Sequence, residues 1–325
     1  MKTVNRFGFL FVSALFLGMV SCSKTDTDKS PLYTENDANK LAVQTVTTNV
    51  GTGLNSVFGS TITDSAGATT LARTFTHGVR FFEGERGSVF IETLNGYNIS
   101  YPANPSLEGT STISQTDAYG KPIVVEMIDM VRHTGFGFLE YAWEDPITLN
   151  IETKLTFVKA IPSMGWYAGS GFFLKQNPAL LTSDQVNDFV VVQAVDAMSY
   201  GLGYVMSGYT DSLQRVDFMR GFLEHIRFFD DLSGYYYVID FSGYNVVQPP
   251  NPAIQGTYEW DIQDSHGNYL VQGLIATAQE GGGFYEYYWI NYQTGAEELK
   301  RAYVKQITGF DYLIGSGIYS GKAYN

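Results

Sequence analysis

Gly87-Ser-Val-Phe-Ile-Glu-Thr-Leu-Asn-Gly-Tyr-Asn-Ile-Ser-Tyr-Pro-Ala-Asn-Pro-Ser-Leu-Glu-Gly109 is the stretch from which the rest of the chain can be read. Ser88 to Leu94 is a strand-like run, Asn95-Gly96 is a two-residue turn signal, and Tyr97 onward returns as a second strand, so the segment predicts a β-hairpin. The design recurs 147 residues later, where Gly96, Tyr97, Pro102, Asn104, Pro105 and Gly109 have Gly243, Tyr244, Pro249, Asn251, Pro252 and Gly256 as counterparts.

Working outward, the repeat extends in both directions. Upstream, Asp64, Arg73, Phe75, Arg80, Phe81 and Phe82 pair at the same offset with Asp211, Arg220, Phe222, Arg227, Phe228 and Phe229. Downstream, Asp117 and Gly120 pair with Asp264 and Gly267. One residue is then lost, and at offset 146 Tyr141, Trp143, Lys154, Lys159, Gly169 and Gly171 meet Tyr287, Trp289, Lys300, Lys305, Gly315 and Gly317. The chain is a tandem pair of homologous modules, 37–174 and 180–325. Each has its own helices and strands, which predicts independent folding.

Helix-compatible stretches at 38–58 and 184–206, then 70–82 and 217–229, lead the modules. After the hairpin, Ile123, Val124, Met127, Ile128 and Val131 share one helical face, as do Leu270, Leu274, Ile275 and Ala278. Strands follow at 136–143, 153–161 and 165–173, and at 283–289, 299–307 and 311–319. The predicted class is α+β, each module having long N-terminal helices and a five-stranded antiparallel sheet.

At the N-terminus, Lys2 and Arg6 precede an apolar run, Phe7 to Val20, too short to span a bilayer comfortably. Met19-Val20-Ser21-Cys22 resembles the lipobox of a bacterial lipoprotein. The reading is a signal peptide at 1–21, lipid on Cys22 and a polar tether at 22–36. Loss of Lys2 and Arg6 would take the net charge from −13 to −15. That acidity gives no electrostatic reason to bind nucleic acid. With a single Cys, an internal disulfide and a Cys-rich metal site are excluded.

The quoted hairpin, Asp117-Ala-Tyr-Gly120, Gly135 to Trp143, Lys154 to Lys159 and Gly165 to Phe173, each repeated in the second copy, resemble a single-Cache (type 2) domain. The resemblance covers both modules. It implies a PAS-like sheet, an extracytoplasmic sensor role and a pocket for small organic molecules, commonly short carboxylates. Tyr101 and Gln248 stand where the family often has His. The chain ends six residues after Tyr319, so no output domain is expected.

Candidate ligand residues follow, each with an ordinary structural role beside it. Lys154 and Lys300, with Lys159 and Lys305, offer a cation to a carboxylate, but period-2 geometry lets only one of each pair face a pocket. Arg80 and Arg227 end the second helices, where each could bind ligand or pair with Glu83 or Asp230. Asp117 and Asp264 sit in Asp-x-x-Gly turns. The resemblance places Tyr101 and Gln248 on the pocket wall. Trp143 and Trp289 suit sheet packing or ligand stacking. No catalytic motif is present, and His77, His133, His225 and His266 are scattered, so neither enzyme activity nor a metal or cofactor is expected.

The expected function is that of a lipid-anchored, periplasm-facing protein that binds a short organic acid or similar polar ligand and reports occupancy to a membrane receptor. A solute-capture protein feeding a transporter, and an interaction module whose pockets are filled by its own side chains, remain open alternatives. The tyrosines at 235–237 and 287–288 make self-filling more natural in the second copy.

Overall fold

Thr34 and Thr182 begin the two modules in the same way. Each hydroxyl accepts a hydrogen bond from the backbone N–H three residues on, while the side chain of Asp37 or Gln185 accepts from the cap's own N–H, closing a capping box. The computed structural model describes residues 32–58, 62 and 64–319. Cys22 and the leader before it lie outside the described residues.

The first module runs β1 (Leu32–Thr34), α1 (Glu35–Val57), α2 (Ser65–Gly78), β2 (Phe90–Thr93), β3 (Asn98–Ser100), α3 (Ile123–Thr134), β4 (Phe136–Glu144), β5 (Ile151–Ile161) and β6 (Trp166–Phe173). The second repeats it as β7 (Leu180–Thr182), α4 (Ser183–Met206), α5 (Ser212–Leu223), β8 (Tyr237–Asp240), β9 (Asn245–Val247), α6 (Leu270–Gln279), β10 (Gly283–Ile290), β11 (Glu297–Gln306) and β12 (Tyr312–Tyr319). Two antiparallel five-stranded sheets result, with strand orders β3-β2-β6-β5-β4 and β9-β8-β12-β11-β10. A short antiparallel ribbon pairs β1 with β7, Leu32 opposite Thr182.

The second helices start and stop earlier than the 70–82 and 217–229 read from periodicity. Asp64 and Asp211 cap them by accepting from Gly67 N–H and Leu213 N–H, and such caps fix a start that apolar spacing cannot. Past the helix ends the chain folds back at Phe82 and Phe229, with φ of 63° and 65°, and Phe81 and Phe228 bridge to Gly87 and Gly234. Arg80 and Arg227 therefore lie beyond the helices.

Each sheet is covered on both faces. On one, α3 sets Ile123, Val124, Met127, Ile128 and Val131 against Leu139, Val158 and Tyr167. In the second module, α6 does the same with Leu270, Val271, Leu274 and Ile275 against Tyr287 and Val304. The long helices cover the other faces in a single core shared by both modules.

The join between modules is pseudo-twofold. Phe75 of α2 occupies the place where a Cβ on Gly201 of α4 would sit, 2.6 Å from its ring, and Phe222 of α5 does the same at Gly53 of α1, at 2.1 Å. The two phenyl rings stack on each other at 4.5 Å. Asn49 Nδ2 donates to Tyr236 Oη, which donates to Ala194 O. This shared core departs from the expectation of two self-sufficient modules, because α1 and α4 are buried by each other as well as by their own sheets. Helix α4 is long and apolar enough to cross a membrane by composition, yet 72% of that window is buried here.

Candidate functional site

Strand parity and packing decide which lysines face a pocket. On β5, Phe157 and Ile161 belong to the core under the long helices, and Val158 to the cluster under α3. Lys154 and Thr156 share the face of Val158, and Lys159 lies on the helix side. There the Lys159 ammonium stands 5.3 Å over the Phe136 ring, beside Gly51. Its counterpart Lys305 ion-pairs with Asp196 of α4 at 2.9 Å. Lys154 and Lys300 thus occupy the face opposite the long helices, and Lys159 and Lys305 do not.

Around Lys154 the first module opens a cleft of ≈1240 Å³. Its inner wall is aromatic: Tyr141 and Phe173 flank Lys154 on the neighbouring strands, Trp143 packs edge-on against Tyr141, and Tyr101 packs against Phe90. The Lys154 Nζ is 5.2 Å from the Phe173 ring and has no hydrogen-bond acceptor or ion-pair partner among the described residues. Burial lowers this ammonium to about 8, Asp145 acting weakly the other way. Gly171 of β6 lines the cleft, and the missing side chains of Gly169 and Gly171 leave room for Phe90 and Thr156. Arg86, Ser88, Asn104 and Gln115 also line the cleft, and the Glu35–Lys175 ion pair stands at its mouth.

Tyr101 is set in place by Glu108. The Glu108 carboxylate accepts from Tyr101 N–H at 2.8 Å, from Ser100 Oγ at 3.2 Å and meets His77 Nε2 at 2.6 Å. Burial alone would raise its pKa, but these bonds, that of His77 foremost, hold it below the usual carboxylate value. Burial, with Glu92 adding to it, pushes the Tyr101 phenol up, so it stays a donor.

The second module builds the same wall and fills it. Lys300 is 1% exposed, and its Nζ donates to Tyr235 Oη at 2.9 Å. It lies 4.1 Å from the Tyr235 ring and 4.9 Å from that of Tyr319. Gln248 is buried with its Nε2 3.4 Å from the same phenol oxygen. Gly317 makes the room: a Cβ there would come within 2.9 Å of Lys300 Cε. At the repeat offset Tyr235 stands where the first module has Ser88, and Tyr319 where it has Phe173.

The remaining candidates lie elsewhere. Arg80 and Arg227 donate to the carbonyls of the residues just before them, Val79 and Ile226, and the ion pairs with Glu83 and Asp230 do not form among the described residues. Asp117 accepts from the N–H groups of Tyr119, Lys121 and Ala142, and Asp264 from those of His266, Asn268 and Tyr288. Both staple a turn to a strand. Burial opposes ionisation of Asp264, but these donors and the Asn268 amide bring it to about 2. Trp289 is half-buried against the aromatic cluster of its own sheet. Sequence reasoning missed Arg86 and Glu108. Arg86 has Ser233 as its counterpart, so the repeat does not mark it, whereas Glu108 and Gln255 play one part in both copies, each accepting from the N–H at 101 or 248.

The sequence model of the family described as Single Cache domain 2 matches residues 33–178 and again 190–325. The sensor histidine kinase MctS of Rhizobium johnstonii is 34% identical over 86 residues, 26% of this chain and 19% of that protein. The methyl-accepting chemotaxis protein McpP of Pseudomonas putida is 26% identical over 117 residues, 36% of this chain and 20% of that one. The chain thus spans about a fifth of the length of these curated relatives. Among solved structures, a Cache chemosensory domain described for carboxylic acid recognition is 24% identical, covers 43% of this chain and 94% of that chain, and has a TM-score of 0.38. A methyl-accepting chemotaxis protein from Vibrio parahaemolyticus is 26% identical over 36% of this chain and 77% of that one, with a TM-score of 0.33.

Proposed function

The chain belongs to the single Cache domain 2 family, and on that premise we propose that it is an extracytoplasmic, lipid-anchored binding protein of the sensor type, whose first module holds a small organic carboxylate against Lys154. One observation carries this reading: an ammonium without an acceptor of its own stands on the aromatic wall of an open cleft. A carboxylate oxygen delivered there gains a charge-assisted hydrogen bond, worth about 1.5–3 kcal/mol. Tyr101 supplies a second donor from the facing turn, and Arg86 adds positive charge to the cleft of a protein whose net charge is −13.

Size sets the affinity. A ligand of about five heavy atoms at no more than ~1.5 kcal/mol each binds in the μM to mM range. Occupancy is passed to a membrane partner, in keeping with the sensor kinase and chemotaxis relatives. Anchoring through Cys22 keeps the protein near that partner, and Cys22→Ser should release it from membrane to soluble fractions.

The test is a thermal-shift screen of the full chain with acetate, propionate, lactate and pyruvate. At about 100 times Kd a ligand stabilises by about 2.7 kcal/mol, a rise of several degrees in Tm. At least one of the four should give such a rise, and Lys154→Met should remove it. No rise with any of them, or a rise undiminished in Lys154→Met, contradicts the reading.

A further inference from the structure

The two copies of the site differ in one decisive respect. The ammonium of Lys154 faces open space, and that of Lys300 faces a phenol. Tyr235 supplies Lys300 with both an acceptor, at 2.9 Å, and a ring face, at 4.1 Å. Tyr235 is itself buried, as is Gln248, which closes on the same oxygen. The backbone beneath is alike in the two modules, because Lys300 lies opposite Tyr287 and Tyr319 as Lys154 lies opposite Tyr141 and Phe173. A buried lysine with one hydrogen-bond acceptor, the Tyr235 hydroxyl, and only the ring faces of Tyr235, Tyr237 and Tyr319 beside it is a poor stabilising device, since desolvation opposes its charge and lowers it to about 7. It makes sense as a ligand-binding cation whose ligand is built in.

We propose that the second module is a second carboxylate site kept closed by Tyr235, an internal ligand whose hydroxyl takes the acceptor position that a small carboxylate takes at Lys154. This rests on the reading of Lys154 given above. It implies that cutting Tyr235 back to the serine found at position 88 opens a site of the same ligand class, and that the converse change, Ser88→Tyr, closes the first.

Two measurements on the full chain test it. Reductive methylation followed by peptide mass spectrometry reports which lysine is open without any ligand. In the wild type Lys154 should be modified and Lys300 protected. Tyr235→Ser should expose Lys300, and Ser88→Tyr should protect Lys154. Calorimetric titration with sodium propionate then reports competence. The wild type should bind one equivalent and Tyr235→Ser two, the second being lost again in Tyr235→Ser combined with Lys300→Met.

If Tyr235→Ser is folded but still binds only the wild-type equivalent, or if Lys300 stays protected in it, the proposal is overturned. Should Tyr235→Ser fail to fold, Ser88→Tyr decides: protection of Lys154 supports the proposal, and continued modification refutes it. If the wild type takes no propionate while Tyr235→Ser takes one equivalent through Lys300, this proposal stands, and the reading of the first module falls unless another of the four acids shifts its melting in a Lys154-dependent way. If neither takes any propionate, this proposal falls, and the first-module reading falls with it when the other three acids give no shift either.

Discussion

Two lysines in equivalent positions, Lys154 and Lys300, have opposite surroundings. Lys154 must be protonated to hold a carboxylate. With its ammonium lowered to about 8 by burial, affinity should be flat below about pH 7 and fall by up to tenfold per unit as pH rises past 8. Calorimetry across pH 6–10 checks this, and in Lys154→Met the residual affinity, weaker by about 10- to 150-fold, should lose that dependence. Lys300 affects folding instead. Its pKa is about 7 when folded and near 10.4 when unfolded. The unfolded chain therefore binds more protons between those values, and this residue's contribution to stability rises with pH from about 7 to 10. Urea titrations should show wild type gaining on Lys300→Met over that interval, and no relative gain would contradict it. The sequence shows both lysines but not their direction. Lys154 and Lys159 are five residues apart and so on opposite faces of a strand, and only the packing of α1 tells which face holds the pocket. The contrast of Ser88 with Tyr235 was visible in the repeat, but its meaning depends on the phenol reaching Lys300, which is a matter of three dimensions.

The informative elements are the long helices and the glycine-bearing final strands. Alanine in place of a helical glycine ordinarily stabilises by about 0.5–1 kcal/mol. At Gly53 and Gly201 the sign should reverse, since the new methyl would lie 2.1 and 2.6 Å from the rings of Phe222 and Phe75. Gly53→Ala and Gly201→Ala should each lose about 1–3 kcal/mol. Gly221→Ala in α5, whose nearest neighbour would be Val57 at 3.6 Å, should be neutral or stabilising. Thermal melts of the three variants separate packing from propensity, and a common gain in stability would refute the interlocked-helix description. The strands and the α3 and α6 faces were legible because each has one apolar side and one clear period. The starts of α2 and α5 were not, because Asp64 and Asp211 act through a single cap hydrogen bond that leaves no periodic trace. The turn at Phe82 and Phe229 was equally hidden, since no glycine marks either positive φ.

For the whole molecule, duplication was plain in the sequence and its consequence was not. Two modules of one pattern suggested two folding units, yet α1 and α4 carry apolar and small residues on more than one side, and each finds its second partner in the other module. Residues 180–325 expressed alone should therefore lack a cooperative urea transition by circular dichroism, and mixing with 37–174 should restore one. A sharp transition in the isolated second module would show that the shared core is dispensable. In the intact chain the same core seats the cleft wall on the second module. Phe82 stacks on Phe189, its N–H donates to Gln193, and Tyr200 donates to Glu85. On the proposed reading, a ligand in the first module would lie against a wall that Phe189 of α4 helps to form. If an ammonium at Lys154 meets the ligand's carboxylate, binding above pH 8 must draw protons from solution. Propionate titrated into the full chain at pH 9, in two buffers of different ionisation enthalpy, should take up roughly 0.4–0.9 proton per ligand bound, because a 10- to 150-fold preference for the ammonium raises its pKa of about 8 by about one to two units, and almost none at pH 6.5. Binding at pH 9 with no proton uptake, or uptake that persists in Lys154→Met, would contradict it.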